Sequence, residues 1–274
     1  MERARKYKLD IIKSEKNLFN FAKANNIGMR YALKNYKPDY IVLISNDVFV
    51  KDKSWLKKLV ATAESEENIG LVTCKQVYPT GKIQYAGALY GLAPRARGRG
   101  EDDHGQYDKI EEVEGANAVI CLIKKGVLEK LGLFDENFDF GSEDDDLSIR
   151  IRKAGFKIMY NGKVEVTHLE GYTSTAATNT SKRSMTFYKN QVSFSYLILK
   201  DYGTAKKIPA IGMLYGSSIF SIEGKDRKRG LLSLRFKDRP LERLNMTTKA
   251  LFEAHKIWSE NKNKNQLFLS EPHG

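Results

Sequence analysis

Thiols and imidazoles are both scarce: the 274 residues hold two cysteines, Cys74 and Cys121, and four histidines. That excludes a disulfide framework, and neither cysteine has the paired spacing of a structural zinc site. Both lie in apolar stretches, Gly70-Leu-Val-Thr-Cys74 and Ala118-Val-Ile-Cys121-Leu-Ile123, which predicts buried free thiols and a reducing compartment. A long hydrophobic run is also missing. The best, Ile208 to Phe220, is about a dozen residues broken by Gly212, Gly216 and two serines, against the roughly 20 that a membrane span needs. The opening Met1-Glu-Arg-Ala-Arg-Lys6 is charged, so no secretory leader is expected. The expected location is the cytoplasm, either free or peripheral at the inner face of the membrane.

Acidic side chains are sparse in one region only. Residues 181–256 hold 16 Lys and Arg against 6 Asp and Glu, whereas residues 1–180 hold 28 against 26. Such a surplus suits an anionic membrane surface, a lipid diphosphate carrier or nucleic acid, or it serves as a solvated, solubilising surface. Hydrophobic content of 41% beside 29% charged residues is that of a folded chain, which excludes wholesale disorder.

Apolar periodicity predicts alternating strands and helices up to about residue 170. Strands are expected at Leu9–Ile12, Tyr40–Ile44, Ile69–Cys74 and Ala116–Ile123, and helices at Asn17–Leu33, Trp55–Ala63, Lys125–Leu131 and Leu147–Ala154. Such alternation argues for a parallel α/β layer. Residues 91–112, glycine-rich and aperiodic, read as a long loop. Asn161-Gly162 between two β-like runs predicts a hairpin. Beyond residue 180 the pattern is helical and basic.

Polar groups fall just where three of these elements begin or end. Asn46-Asp47 follows the strand Tyr40–Ile44, and the carboxyl end of a strand is where ligands bind in open α/β sheets. An aspartate there can hold a divalent cation, though Asn-Asp is also ordinary turn chemistry. Glu143-Asp144-Asp145-Asp146 opens the helix at 147–154. A helix dipole favours acids in its first turn, but four adjacent carboxylates exceed that need, and crowding raises the pKa of at least one, which suits a general base. His168 ends the second strand of the expected hairpin, as a metal ligand or as a satisfied structural histidine.

In order and spacing these residues resemble glycosyltransferase family 2, which has the GT-A fold: Asp144 follows Asp47 by 97 residues, and His168 follows Asp144 by 24. Asn17-Leu-Phe-Asn-Phe-Ala-Lys-Ala-Asn-Asn-Ile-Gly28 is similar to the family's Asn-Leu-Gly-Phe-Ala-x-x-Asn-Asn-x-Gly helix start. Gly115-Ala-Asn117 resembles its small-residue turn, Gly132-Leu-Phe-Asp-Glu136 its Gly-Phe-Asp-Glu stretch, and Gly98–Glu101 with Gly105–Asp108 a flexible loop of many members. The resemblance spans roughly residues 8–175.

It implies a GT-A-like, partly Rossmann-type, mostly parallel sheet with flanking helices over residues 1–180, followed by a basic helical segment over 181–274. It further implies an inverting enzyme that moves sugar from a nucleotide-diphosphate sugar to a glycan or lipid-linked acceptor, as in polysaccharide biosynthesis. Asp47 and His168 would bind Mn²⁺ or Mg²⁺, with Asn46 beside Asp47 at the donor. Asp144 would be the general base, oriented by Glu143.

Two family strands, ending near Pro-Thr-Tyr-Asn and Asp-Asn-x-Ser-x-Asp, are missing, and Leu9–Ile12 matches the third. Phe19-Asn20 also stands where the family has glycine. The missing half lies upstream, comes from a partner chain, or has been lost together with donor binding. The alternatives are a non-catalytic remnant that binds a glycan or a partner subunit, and nucleic-acid binding through Phe187, Tyr188, Phe194, Tyr196 and Tyr202. No nucleic-acid recognition motif is present, so no nucleic-acid partner is expected.

Overall fold

The computed structural model describes residues 9–12, 20–169, 180–226 and 231–267. The first helix, α1 (Phe21–Tyr36), starts where Asn20 can cap it, its side chain accepting from the Lys23 amide at 2.9 Å. It ends at Lys37 in the left-handed conformation, ahead of Pro38. Its buried face is Ala22, Asn26 and Met29, at helical spacing. Asn26 is the anchor. Its amide donates to Phe134 O at 2.9 Å and accepts from Phe134 N at 3.0 Å, and Arg30 adds an ion pair to Glu136. The two sequence stretches that most resemble family motifs are therefore bonded to each other.

The central sheet has the order β1-β8-β3-β9-β2, from β1 (Tyr40–Ile44), β2 (Val48–Val50), β3 (Ile69–Val77), β8 (Ile120–Lys124) and β9 (Lys157–His168). Two short strands add to it, β4 (Ile83–Tyr85) on β3 and β7 (Ile110–Glu112) on β9. All nine residues of β3 are buried, as suits a central strand. β1, β3 and β9 run in one direction, as the alternation of elements predicts. However, β8 is threaded antiparallel between β1 and β3, so the sheet is mixed. Helices α2 (Trp55–Ala63) and α3 (Lys125–Leu131) have the expected bounds, and α4 (Glu143–Lys153) begins with the four acids.

Several expectations need correction. Leu9–Ile12 forms no strand. No described strand pairs with it, and Leu9 and Ile11 are 56% and 77% exposed; a strand without a ladder partner leaves its backbone to water. The helix expected from Asn17 begins at Phe21, and residues 13–19 lie outside the described residues. The stretch 91–112 is not all loop. It contains β6 (Pro94–Ala96), paired with β5 (Ala88–Tyr90), and β7. Lys75, nearly buried, holds the loop's far end through Asp103 at 2.6 Å and Asp108 at 2.7 Å, with Glu165 of β9 as a third partner.

The Asn161-Gly162 hairpin is absent as well. β9 runs straight through it as one strand with a bulge, since Cys74 pairs with Asn161 and Lys75 with Glu165. The reason is burial: Asn161 donates to Thr62 Oγ1 at 2.8 Å inside the core instead of turning the chain. Gly162 lets the loop carbonyl of Tyr107 come close.

The basic C-terminal part packs α5 (Thr180–Asp201) against α6 (Thr204–Ile219) and α7 (Pro240–Leu267). It is not wholly helical, because β10 (Phe220–Asp226) and β11 (Leu231–Phe236) pair as an antiparallel ladder. Leu232, Leu234 and Phe236 alternate with Ser233 and Arg235, which is strand period. Phe138, next to the acidic helix, packs into the core of this region with Tyr196, Leu197, Ala250 and Ala254.

The two glycines Gly162 and Gly28 test the packing. A methyl group at 162 would lie 1.8 Å from Tyr107 O, whereas one at 28 meets nothing within 4 Å. Gly162→Ala should cost about 3 kcal/mol by urea denaturation. Gly28→Ala should be neutral or gain up to about 1 kcal/mol.

Candidate active site

The turn after β1 carries Asn46, exposed, and Asp47, half-buried. Val48 of β2 pairs with His168 of β9, and this brings the ends of the two strands together. His168 Nε2 lies 3.2 Å from Asp47 Oδ1, and Leu169 N bonds to Asp47 O at 3.1 Å. Although the hairpin is absent, His168 still ends a strand beside Asp47.

Sequence reasoning missed the group behind the histidine. Gln84 of β4, buried, places its Oε1 2.8 Å from His168 Nδ1. With the proton on Nδ1, the Nε2 lone pair faces a carboxylate oxygen. Two acceptors at that separation are reconciled by a proton or by a cation between them. Among the described residues no group of three or more His, Cys, Asp or Glu side chains could hold a metal. Two such side chains alone would leave most of a divalent cation's coordination sphere to other oxygens.

Opposite stands the first turn of α4. The chain enters it through Gly141 and Ser142 in the left-handed region, at φ 78° and 70°, and the turn of the helix then points the four acids in different directions. Asp144 and Asp145 line a cleft together with His168, Asn117, Gln76 and Gln84, and Arg95 and Arg99 line it as well. Asp144 Oδ2 accepts from Ala118 N at 3.3 Å and Oδ1 from Asp145 N at 2.9 Å. Burial raises its pKa against these backbone bonds. Asp145 is raised further, by burial and then by the Asp144 charge, although the Tyr90 hydroxyl donates to it at 2.9 Å. Gly115 makes room for that tyrosine, since a Cβ there would lie 2.2 Å from Tyr90 Oη.

Glu143 is not among the cleft-lining side chains. It is buried with Oε2 unpartnered, and burial followed by the Asp144 charge lifts its pKa to about 8, which leaves it mostly neutral at pH 7. Asp146 turns fully inward. Burial works to raise its pKa, but Arg150 and Lys200 outweigh that and hold it at about 2. Gln76 and Asn117 exchange two amide hydrogen bonds, of 2.6 and 3.0 Å, along the cleft. The carboxylate beside Asp144 in the cleft is thus Asp145, which spacing alone did not distinguish from Glu143. Both cysteines are free and buried, as their apolar flanks predict.

The arrangement offers a half-buried carboxylate of raised proton affinity and, lining the same cleft, the histidine of a histidine–aspartate pair. Known proteins share the chain that builds it. The O-antigen biosynthesis protein RfbC of Myxococcus xanthus is 28% identical over 160 residues, 56% of this chain and 12% of that protein. The uncharacterised protein y4gI of Sinorhizobium fredii is 30% identical over 161 residues, 56% of this chain and 17% of that protein. The chain therefore spans only a small part of the length of the curated relatives it matches. The structure of GalNAc-T7 with UDP, GalNAc and Mn²⁺ superposes with a TM-score of 0.51 at 14% identity, covering 91% of this chain and 45% of that one. At that identity the likeness shows the fold alone, which is GT-A. The family model described as "Glycosyltransferase like family 2" matches residues 22–186, more than half of the sequence. The chain belongs to glycosyltransferase family 2.

Proposed function

We propose that this chain is the catalytic part of an inverting glycosyltransferase that moves a sugar from a nucleotide-diphosphate sugar to a glycan or lipid-linked acceptor, in the assembly of a polysaccharide. The observation that carries the reading is the cleft of Asp144, Asp145 and His168, with Asp47 bonded to the histidine. Family membership supports transferase chemistry, and the name of the Myxococcus relative supports a polysaccharide product.

Asp144 takes the acceptor hydroxyl's proton as that oxygen attacks the anomeric carbon, and its raised pKa makes it a stronger base than an ordinary carboxylate. The Ala118 amide fixes its direction. Neutral Glu143 behind it adds no second negative charge at neutral pH. Asp47 and His168 fit a Mn²⁺ or Mg²⁺ ion, being a carboxylate and an imidazole nitrogen 3.2 Å apart with the far ring nitrogen already engaged by Gln84. Bound there, the ion would supply positive charge against the departing diphosphate. Asn46 beside them is placed to meet the donor. Among the described residues β1 is an edge of the sheet, and its outer side is where a further strand, from this chain or a partner, would extend the floor of the nucleotide site.

Transfer from a panel of UDP-, GDP- and dTDP-sugars with Mn²⁺ tests the reading. Asp144→Asn should lose at least about 10²-fold in rate while leaving Mn²⁺–UDP binding near normal in calorimetry. Asp47→Asn should weaken binding and rate together. Undiminished transfer by Asp144→Asn would falsify the assignment of the base.

The pH profile is a second test. A base must be deprotonated to act, so the rate should fall as pH drops through the raised pKa of Asp144. The acid limb should therefore lie above the ordinary aspartate value of about 4. A limb at or below that value would show that burial does not tune the base.

Gln84 is the third. Gln84→Leu should weaken Mn²⁺–UDP binding by roughly 10-fold or more, since outer-shell partners of metal-binding histidines carry 10- to 100-fold effects. Gln84→Glu, which keeps an acceptor at Nδ1, should bind as wild type. If both variants bind alike, Gln84 does not orient His168.

A further inference from the structure

The C-terminal region has a face that neither the cleft nor the sheet uses. Large apolar side chains there point into solvent: Phe236 is 74% exposed, Leu241 80% and Phe252 73%. Leu241 and Phe252 are 11 residues apart, close to three turns of α7, and so stand on one side of the helix. The opposite side holds Thr247, Ala250 and Ala254, all fully buried, which fixes the orientation of the helix. Exposed Lys249 and Lys256 lie within about 80° of the Leu241–Phe252 line.

Basic groups gather where β11 runs into α7. Lys237, Arg239 and Arg243 follow Phe236 within seven residues, and the chain turns there through Arg239 at φ 54°. Lys237 N bonds to Ile219 O at 2.7 Å and its Nζ to Ser217 O at 2.7 Å, so this corner is tied to the end of α6. Burial and the nearby charge of Arg243 lower the pKa of Lys237, a sign of how closely the positive groups are packed.

We propose that the Leu241–Phe252 side of α7, with exposed Phe236 just ahead of it in the chain, docks on an anionic lipid surface. Apolar side chains flanked by Lys and Arg on an exposed helix are the pattern of an interfacial helix: Phe and Leu enter the acyl boundary while the cations meet acidic headgroups. The surplus of 16 basic over 6 acidic residues in 181–256 gives charge complementarity to such a surface. Among the described residues no helix is long and apolar enough to cross a membrane, which fits lying on the bilayer. Nucleic acid fits less well. Leu241 offers nothing to a base, and two of the five rings that could stack, Tyr196 and Tyr202, are buried.

Co-sedimentation with vesicles tests the proposal, using phosphatidylcholine alone and phosphatidylcholine containing 30% phosphatidylglycerol, at low and high salt. The protein should bind the acidic vesicles and lose at least 10-fold in affinity at high salt. The triple variant Phe236→Ser, Leu241→Ser, Phe252→Ser changes exposed positions only and should fold normally by circular dichroism. It should bind at least 10-fold more weakly, because three large side chains no longer enter the bilayer. Lys249→Glu with Lys256→Glu should lose the preference for acidic lipid. Three results would overturn the proposal: equal binding to neutral vesicles, undiminished binding by the triple variant, or tighter binding to DNA than to acidic vesicles at matched salt. A dimer in analytical ultracentrifugation that the triple variant abolishes would assign the face to a second copy of the chain and overturn it as well.

Discussion

One ammonium group holds the acidic helix in place. Lys200, on α5 and nearly buried, bonds to Asp135 at 2.7 Å and to Asp146, the last of the four acids of α4. Asp146 also takes Arg150, whose guanidinium reaches the carbonyls of Leu131 and Leu133. Removing any member would strand a buried charge, which makes this network costly to break. Because Asp146 is drawn inward, the next two acids back along the turn are left facing the cleft. The placement of Asp144 thus depends on a lysine more than fifty residues away, in the part of the chain that sequence reasoning had set apart from residues 1–180.

The four acids also illustrate how one run of like charges is put to different uses. Asp146 is neutralised by cations, Glu143 by a proton, and Asp145 meets the Tyr90 hydroxyl. Asp144 is held by backbone amides, from Ala118 and Asp145, which orient a carboxylate without cancelling its charge. Segregation of this kind follows from the helix itself, which turns about 100° per residue and so sends four successive side chains to different surroundings.

Much of this was legible in the sequence, and the misses have physical causes. Helices α2 and α3 follow their apolar spacing residue for residue, and β1 matches its five-residue apolar run. Asp47 and His168, which the resemblance assigns to one metal, lie 3.2 Å apart. The Asn161-Gly162 pair was misleading because local turn chemistry ignores Thr62, a buried partner 99 residues away that keeps the strand extended. The strand β8 could not be oriented from periodicity, because an apolar run reads the same in either direction. Gln84 was invisible for another reason: a lone glutamine acquires meaning only once β4 lays it beside His168. The β10–β11 ladder does carry a period-two pattern, but basic residues around it favoured a helical reading.

The sheet order has a consequence for how the molecule assembles. β1 waits for β8, some eighty residues later, β3 waits for β9, and the pairing of Val48 with His168 spans 120 residues. Each closure carries a loop entropy that must be met before its contacts are formed, so this topology favours slow acquisition of structure. On a ribosome, residues 40–77 would emerge long before any of their main partners other than β4. β2 has no ladder until the end of β9 arrives. Asp47 and His168 become neighbours only in that last step, so their meeting marks completion of the sheet as well as formation of the site.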